Sequence, residues 1–183
     1  MIEQEIKLRF DGPEAARHAV LTAGGRLTHS RRLIDDRLFD TPQSHLRTTS
    51  CALRVRRDGA TTYLTFKGPP ISGAFKAREE IETTAGDAST IEAILASLGF
   101  TSTWRGQKFR EEYAIDDAKI AIDETPIGTF VEIEGMGADI DRVAAALGRT
   151  QADYVLQSYV RLYVDWCGAR GLAPGHMLLE EAQ

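Results

Sequence analysis

Apolar and charged side chains alternate along the stretch Ile2-Glu3-Gln4-Glu5-Ile6-Lys7-Leu8-Arg9-Phe10. In a β-strand, successive side chains point to opposite faces of the sheet. The stretch therefore predicts a strand with one apolar and one ionic face. The apolar face carries Ile2, Ile6, Leu8 and Phe10, and the ionic face carries Glu3, Glu5, Lys7 and Arg9.

The same alternation recurs along the chain and predicts eight strands. They lie at residues 2–10, 33–41, 52–57, 61–67, 78–84, 108–115, 119–123 and 129–135. Asp58-Gly59 separates the third strand from the fourth and is a strong signal for a tight hairpin turn. Antiparallel pairing is therefore expected between these two strands.

Helical periodicity predicts four helices, at residues 14–23, 89–98, 139–147 and 152–166. The first three are each followed by a glycine, a common helix stop. The second helix should bury a face of Ile91, Ile94, Leu95 and Leu98. The fourth carries a stripe of Val155, Tyr159, Leu162 and Trp166, which we interpret as core packing. Together the segments indicate an α+β fold with a mostly antiparallel sheet.

Length and composition favour one globular domain of 183 residues, with a core at about 1–166 and a carboxy-terminal tail at 167–183. No stretch approaches the roughly 18 apolar residues of a membrane span, and the first residues do not resemble a secretory signal. We therefore expect a cytoplasmic protein without a membrane partner. A formal net charge of −5 argues against general nucleic-acid binding. Cys51 and Cys167 are expected to be reduced thiols.

The ionic strand faces together carry eight cations and seven carboxylates. The cations are Lys7, Arg9, Arg54, Arg56, Lys67, Arg78, Lys108 and Arg110; the carboxylates are Glu3, Glu5, Glu80, Glu82, Asp123, Glu132 and Glu134. Several like charges stand two residues apart, about 6.5–7 Å along a strand. One interpretation is the solvated side of an open sheet. The other is a barrel with this face inward, where a ligand carrying both signs of charge offsets the repulsion.

The two sets of charges fit a complex of a divalent metal with a polyphosphate. Carboxylate oxygens are preferred ligands of Mg²⁺ and Mn²⁺, whereas Lys and Arg bind phosphate oxygens. Phosphoryl transfer needs no nucleophilic side chain, because positioning and charge neutralisation supply most of the catalysis. The sequence contains none of the rival motifs GxxxxGK[ST], GxGxxG, HExxH or GxSxG.

An ordered set of short motifs runs through these strands, beginning with ExExK at residues 3–7. The motifs that follow are Phe39-Asp40-Thr41, Leu53-Arg54-Val55-Arg56, Leu64-Thr65-Phe66-Lys67-Gly68-Pro69, Arg78-Glu79-Glu80-Ile81-Glu82, Lys108-Phe109-Arg110, Asp123 and Glu132-Ile133-Glu134. The set resembles the CYTH superfamily of triphosphate tunnel metalloenzymes over residues 1–163. That superfamily includes class IV adenylate cyclases, thiamine triphosphatases and inorganic triphosphatases.

The resemblance implies a closed eight-stranded antiparallel β-barrel with helices packed outside, often as a homodimer. It also implies a triphosphate-containing small molecule as the substrate and Mg²⁺ or Mn²⁺ as the cofactor. The triphosphate would be held by Lys7, Arg54, Arg56, Lys67, Lys108 and Arg110, to which the ionic face adds Arg78. The metal would be held by Glu3, Glu5, Glu132 and Glu134. Glu80, Glu82 and Asp123 are the further catalytic candidates, for positioning metal or water.

Two reactions fit this site: hydrolysis of a triphosphate, and cyclisation of ATP to cyclic AMP and pyrophosphate. Similar cyclases carry a His-Phe pair shortly before ExExK, whereas only Met1 and Ile2 precede Glu3 here. Similar thiamine triphosphatases place a tyrosine before Phe-Asp, where this chain has Leu38. The sequence therefore favours a general tripolyphosphatase or nucleoside triphosphatase. A non-catalytic polyphosphate-binding module is a third hypothesis, but binding phosphate alone would need only the cations.

Overall fold

Eight antiparallel strands close into a barrel in the computed structural model, which describes residues 2–179. The strands are β1 Ile2–Phe10, β2 Arg26–Asp40, β3 Ala52–Asp58, β4 Thr61–Ile71, β5 Lys76–Ala85, β6 Thr101–Ile115, β7 Ala118–Thr125 and β8 Gly128–Glu134. All eight predicted strands are present, and the predicted α+β barrel is confirmed. The largest errors are at the starts of β2 and β6, which begin seven residues before the predicted positions 33 and 108.

The strands follow one another around the barrel in the order β1-β5-β4-β3-β2-β6-β7-β8, and β8 closes the ring by pairing with β1. The predicted hairpin joins β3 to β4, and Gly59 at its turn has a φ of 57°, which glycine adopts without strain. The seam between β1 and β5 is short, since it pairs only residues 2–5 of β1. Beyond it the backbone of Lys7 exchanges two hydrogen bonds with Val155, at 3.1 and 2.9 Å.

Within residues 2–179, five helices lie outside the strands: α1 Pro13–Thr22, α2 His45–Thr48, α3 Ala88–Ser97, α4 Gly137–Ala146 and α5 Tyr159–Gly168. The prediction of one helix over 152–166 was wrong at its start. Residues Gln151–Asp153 form a single 3₁₀ turn, and the chain then stays extended so that Val155 can pair with Lys7. The short helix α2 was not predicted. None of the helices within residues 2–179 is long and apolar enough to cross a membrane.

The main core lies between the barrel wall and the two helices α1 and α4. Ile6, Ile120, Val131 and Ile133 point outward from β1, β7 and β8 and are fully or almost fully buried. A smaller cluster packs α3 against β3 through Leu95 and Val55. The predicted face of α3 was partly wrong, because Ile94 and Leu98 are 50% and 69% exposed.

A third apolar cluster lies beneath α5 at one end of the barrel. Phe130, Leu162 and Met177 are buried there, with Trp104 and Tyr159 packed against them. After α5 the chain returns to β6, where Met177 exchanges backbone hydrogen bonds with Arg105 and Gln107 at 3.0 and 2.7 Å. Apolar side chains therefore pack at the barrel end near Phe130, next to the ionic interior.

Candidate functional site

A cavity of about 1660 Å³ occupies the barrel interior and continues to its mouths. Every predicted site residue except Asp123 lines it. The interpretation of the ionic face as the interior of a closed barrel is thus confirmed over that of an open, solvated sheet. Arg9, from the same face of β1, is exposed instead, and its guanidinium lies 4.7 Å from the ring centre of Phe130.

Cross-strand register places opposite charges side by side on the cavity wall. On β1 and β5, Glu3 stands opposite Arg78, and Glu5 stands opposite Lys76. On β1 and β8, Lys7 stands opposite Glu132. Directly opposite residues have their Cβ atoms about 5 Å apart, within reach of such long side chains. The alternation in the sequence, once the strands are paired, is therefore sufficient to assemble the ionic interior.

Glu5, Lys7, Lys76 and Glu132 form one connected group of ion pairs. The Nζ atom of Lys7 lies 3.0 Å from Glu5 Oε1 and 3.2 Å from Glu132 Oε1, and Lys76 also contacts Glu5. Burial by itself would lower the pKa of Lys7, but the two carboxylates outweigh it and raise that pKa. Burial would likewise raise the pKa of Glu5, but Lys7 and Lys76 hold it well below its usual range. The pKa shifts of Lys7 and Glu5 therefore both favour the ionised forms.

Asp123 is fully buried and does not itself line the cavity. Its Oδ2 accepts hydrogen bonds from Lys108 Nζ at 2.6 Å, Arg110 Nη2 at 2.7 Å and the Tyr159 hydroxyl at 2.7 Å. Its Oδ1 accepts from Arg110 Nε at 2.7 Å. Burial and the neighbouring Arg110 lower the pKa of Lys108 to about 8. Both oxygens of Asp123 are thus occupied by donors that also border the cavity.

The cations of β3 and β4 are unequally paired. Arg56 makes a bidentate ion pair with Asp36, at 2.7 and 2.9 Å, and Lys67 contacts Glu80. Arg54 has longer contacts: its Nη2 lies 3.2 Å from Thr65 and 3.3 Å from Glu82, and its Nε lies 3.9 Å from Asp36 Oδ1. Within the part of the chain that the structure describes, its buried Nε has no hydrogen-bond partner.

Burial and neighbouring positive charges lower the pKa of two of these cations. Burial and the adjacent Arg56 lower the pKa of Arg54, and burial and Arg54 lower the pKa of Lys67. Arg78 also has a buried Nε without a hydrogen-bond partner among residues 2–179. Unpaired buried donors are costly, so this side of the wall would be stabilised by an anion.

Carboxylates are in excess at Glu3. Burial, followed by the charges of Glu80 and Glu134, raises the pKa of Glu3 to about 7. The charge of Lys67 lowers this pKa, but by less than burial and the two carboxylates raise it. The residues therefore fit a divalent cation by charge and ligand type. They are not already arranged around one, since no cluster of three or more metal-ligating residues is formed within 2–179.

Removing the Glu3 charge should stabilise the metal-free protein at alkaline pH. A folded-state pKa of about 7 against an ordinary value of 4.5 means that ionisation of Glu3 reduces stability as pH rises between these values. The full shift would correspond to about 3 kcal/mol, but because the side chain is partly exposed we expect about 1–2 kcal/mol. Thermal melts of Glu3→Gln in EDTA should therefore exceed wild type at pH 8, by an amount that shrinks towards pH 5.

The control is Glu79→Gln, which removes one charge from the outer face of β5. Mg²⁺ or Mn²⁺ should raise the melting temperature of wild type at pH 8 and have less effect on Glu3→Gln. A lower melting temperature for Glu3→Gln than for wild type at pH 8, without metal, would contradict the assigned repulsion.

Three residues that belong to the site were missed in the sequence. Lys76 could have been found, because it continues the inward series of Arg78, Glu80 and Glu82 by one step. Asp36 could not be separated from its neighbour Asp35, which faces outward to Arg105. Tyr159 was interpreted as core packing, and although its ring does pack in the third apolar cluster, its hydroxyl reaches the buried Asp123.

The structure is thus a closed barrel whose interior is lined by closely paired cations and carboxylates. The chain belongs to the CYTH domain family, whose family model matches residues 1–158. A relative from Methanocaldococcus jannaschii, provisionally named an adenylate cyclase, is 29% identical over 173 residues. That match covers 88% of this chain and 98% of the relative.

Two solved structures show the same fold. A provisionally named adenylate cyclase from Vibrio parahaemolyticus matches with a TM-score of 0.78 at 19% identity, covering 88% of this chain and 97% of that one. A Hippeastrum protein matches with a TM-score of 0.63 at 20% identity, covering 91% and 95%. That protein is described as an adenylyl cyclase candidate with a dominant triphosphatase activity. At these identities the structural likeness concerns the fold alone.

Proposed function

We propose that this protein is a divalent-metal-dependent triphosphatase that binds its substrate's triphosphate group inside the barrel. The observation that carries the proposal is the state of the cations on β3 to β6. Arg54 has a buried Nε without a hydrogen-bond partner among the described residues, and burial beside like charges lowers the pKa of Arg54, Lys67 and Lys108. A bound polyanion would supply acceptors and offset the repulsion between these cations.

The roles of the wall residues follow from their positions. Seven cations would bind and orient the phosphate oxygens: Lys7, Arg54, Arg56, Lys67, Arg78, Lys108 and Arg110. Glu3 and Glu134 would hold Mg²⁺ or Mn²⁺, with Glu5 and Glu132 as further oxygen ligands. When bound, the metal would neutralise charge on the phosphate oxygens. Glu80 and Glu82 would orient the attacking water. Asp123 would hold Lys108 and Arg110 in place through the hydrogen bonds that it accepts from both.

An adenylate cyclase is the second candidate, and the name given to the relative from Methanocaldococcus jannaschii favours it. The activity described for the Hippeastrum protein favours hydrolysis instead. We prefer the hydrolase, because the cations that line the cavity would bind phosphate oxygens rather than a base. A binding module without catalysis would leave unexplained why Glu3 is placed near Glu80 and Glu134. The homodimer, the cytoplasmic location and the absence of a nucleic-acid partner stay predictions.

Product analysis should identify the reaction. Because the cations contact phosphate rather than a base, affinity should depend little on the nucleoside. We expect tripolyphosphate to be hydrolysed to pyrophosphate and phosphate at least as efficiently as ATP is used, with cyclic AMP absent or minor. The measurement is chromatography after incubation with tripolyphosphate, ATP or thiamine triphosphate, each with Mg²⁺ and with Mn²⁺. Cyclic AMP and pyrophosphate from ATP, with tripolyphosphate left intact, would favour the cyclase.

A further inference from the structure

Tyr159 is the first residue of α5, and it joins this helix to the cations inside the barrel. Its hydroxyl donates to Asp123 Oδ2 at 2.7 Å, the oxygen that also accepts from Lys108 and Arg110. Burial and the charge of Asp123 raise the pKa of Tyr159 well above its usual value, so the hydroxyl remains a donor. The side chain also lines the cavity.

The ring of Tyr159 contacts the two lysines closest to it. Lys108 Nζ lies 4.5 Å from the ring centre and Lys7 Nζ lies 5.1 Å from it. Both distances are within the range of a cation–π attraction, which is larger when the cation is removed from water. Lys7 and Lys108 are 1% and 4% exposed, so this condition is met. The ring also packs edge to face on Phe130 of the third apolar cluster, with 5.5 Å between the ring centres.

We propose that Tyr159 is a positioning residue for the triphosphate: through Asp123 and through its ring, it holds Lys108, Arg110 and Lys7 in the arrangement that binds the anion. Oδ2 of Asp123 accepts hydrogen bonds from three donors. Loss of the Tyr159 hydroxyl therefore strengthens the attraction between Asp123 and Lys108. Less of the positive charge of Lys108 is then available to a phosphate oxygen. The inference rests on the proposed function, because it assigns Tyr159 to the same anion site. The proposed role of Tyr159 also means that substrate affinity depends on the packing of α5 against the barrel.

The test compares two tyrosines on α5. Tyr159→Phe removes the hydroxyl and keeps the ring. Tyr163→Phe is the matched control, because Tyr163 does not line the cavity and its hydroxyl donates to the backbone oxygen of His176 at 3.0 Å. Binding of inorganic tripolyphosphate is measured by calorimetry in EDTA, and hydrolysis is measured with Mg²⁺. We expect Tyr159→Phe to raise the Kd and KM about tenfold with kcat within about threefold, since ground-state binding is what it weakens.

Two further variants separate the hydroxyl from the ring. Tyr159→Leu also removes the contact with the lysines and should raise the Kd more than Tyr159→Phe does. In an Asp123→Ala background, the exchange of Tyr159 for Phe should change the Kd less than twofold, because the carboxylate through which the hydroxyl acts is gone. Circular dichroism and thermal melts check that each variant is folded at the assay temperature.

The outcomes distinguish this inference from the proposed function. If wild type binds tripolyphosphate but hydrolyses no triphosphate, the proposed triphosphatase activity is overturned. The role of Tyr159 is then decided by comparing the Kd values of Tyr159→Phe and Tyr163→Phe. Hydrolysis by wild type with equal Kd and KM for Tyr159→Phe and Tyr163→Phe overturns the role of Tyr159 alone. Wild type that neither binds nor hydrolyses a triphosphate overturns both.

Discussion

Glu134→Gln is expected to lose turnover by about a thousandfold, since a metal ligand contributes several kcal/mol to the transition state. Glu134 lines the cavity, and its charge contributes to the raised pKa of Glu3. Its ion pair with Lys119, at 3.0 Å, is exposed and should add little to stability. We therefore expect the melting temperature of the metal-free variant to stay within about 3 °C of wild type. Initial rates with Mg²⁺ and Mn²⁺, together with thermal melts, measure both effects.

Two comparisons make this result specific. Glu124→Gln is the control, because Glu124 pairs with Arg31 at 2.7 Å without lining the cavity, and its turnover should be unchanged. Glu132→Gln should lose both turnover and stability. Its carboxylate lies between Lys7 and Arg110, which would be left buried without it. If Glu134→Gln retained turnover within tenfold and the same metal requirement, Glu134 would not be a metal ligand.

The barrel could be predicted from the sequence wherever the two faces of a strand differ in chemistry. In β1 and β8, glutamate and lysine alternate with isoleucine and valine, so both the faces and the bounds were clear. The first part of β6 reverses this pattern. There Arg105 and Gln107 face outward to Asp35, while the interior side carries Trp104 and a glycine. Alternation of charge therefore indicated no strand before residue 108.

The pairing of charges inside the barrel could be predicted only in part. Alternation identified which cations face inward, but the partner of each depends on register and on the short seam between β1 and β5. Tyr159 shows the limit most clearly. Its contact with Asp123 joins residues 36 positions apart, and helical periodicity indicated only that the ring was buried. The extended residues 154–158, which place it there, are set by the pairing of Val155 with Lys7.

Ile133→Ala should have the opposite effect from Glu134→Gln, although the two residues are neighbours in β8. Ile133 is fully buried in the core between the barrel wall and the helices α1 and α4. Its truncation removes buried methyl groups and leaves a cavity, so we expect a loss of about 2–5 kcal/mol in the free energy of unfolding. For a chain of this length, that loss corresponds to a melting temperature lower by roughly 4–20 °C. Turnover at 20 °C should be retained, because the side chain does not line the site.

The matched control is Ile81→Ala on the outer face of β5, where the isoleucine is 58% exposed. Its free energy of unfolding should change by less than about 0.5 kcal/mol, because few contacts are lost at an exposed position. Urea denaturation of both variants gives the comparison directly, with turnover at 20 °C measured on the same samples. Equal stabilities for Ile133→Ala and Ile81→Ala would contradict the burial of the outer face of β8. Loss of turnover in a folded Ile133→Ala would instead show that this core positions the carboxylates on either side of residue 133.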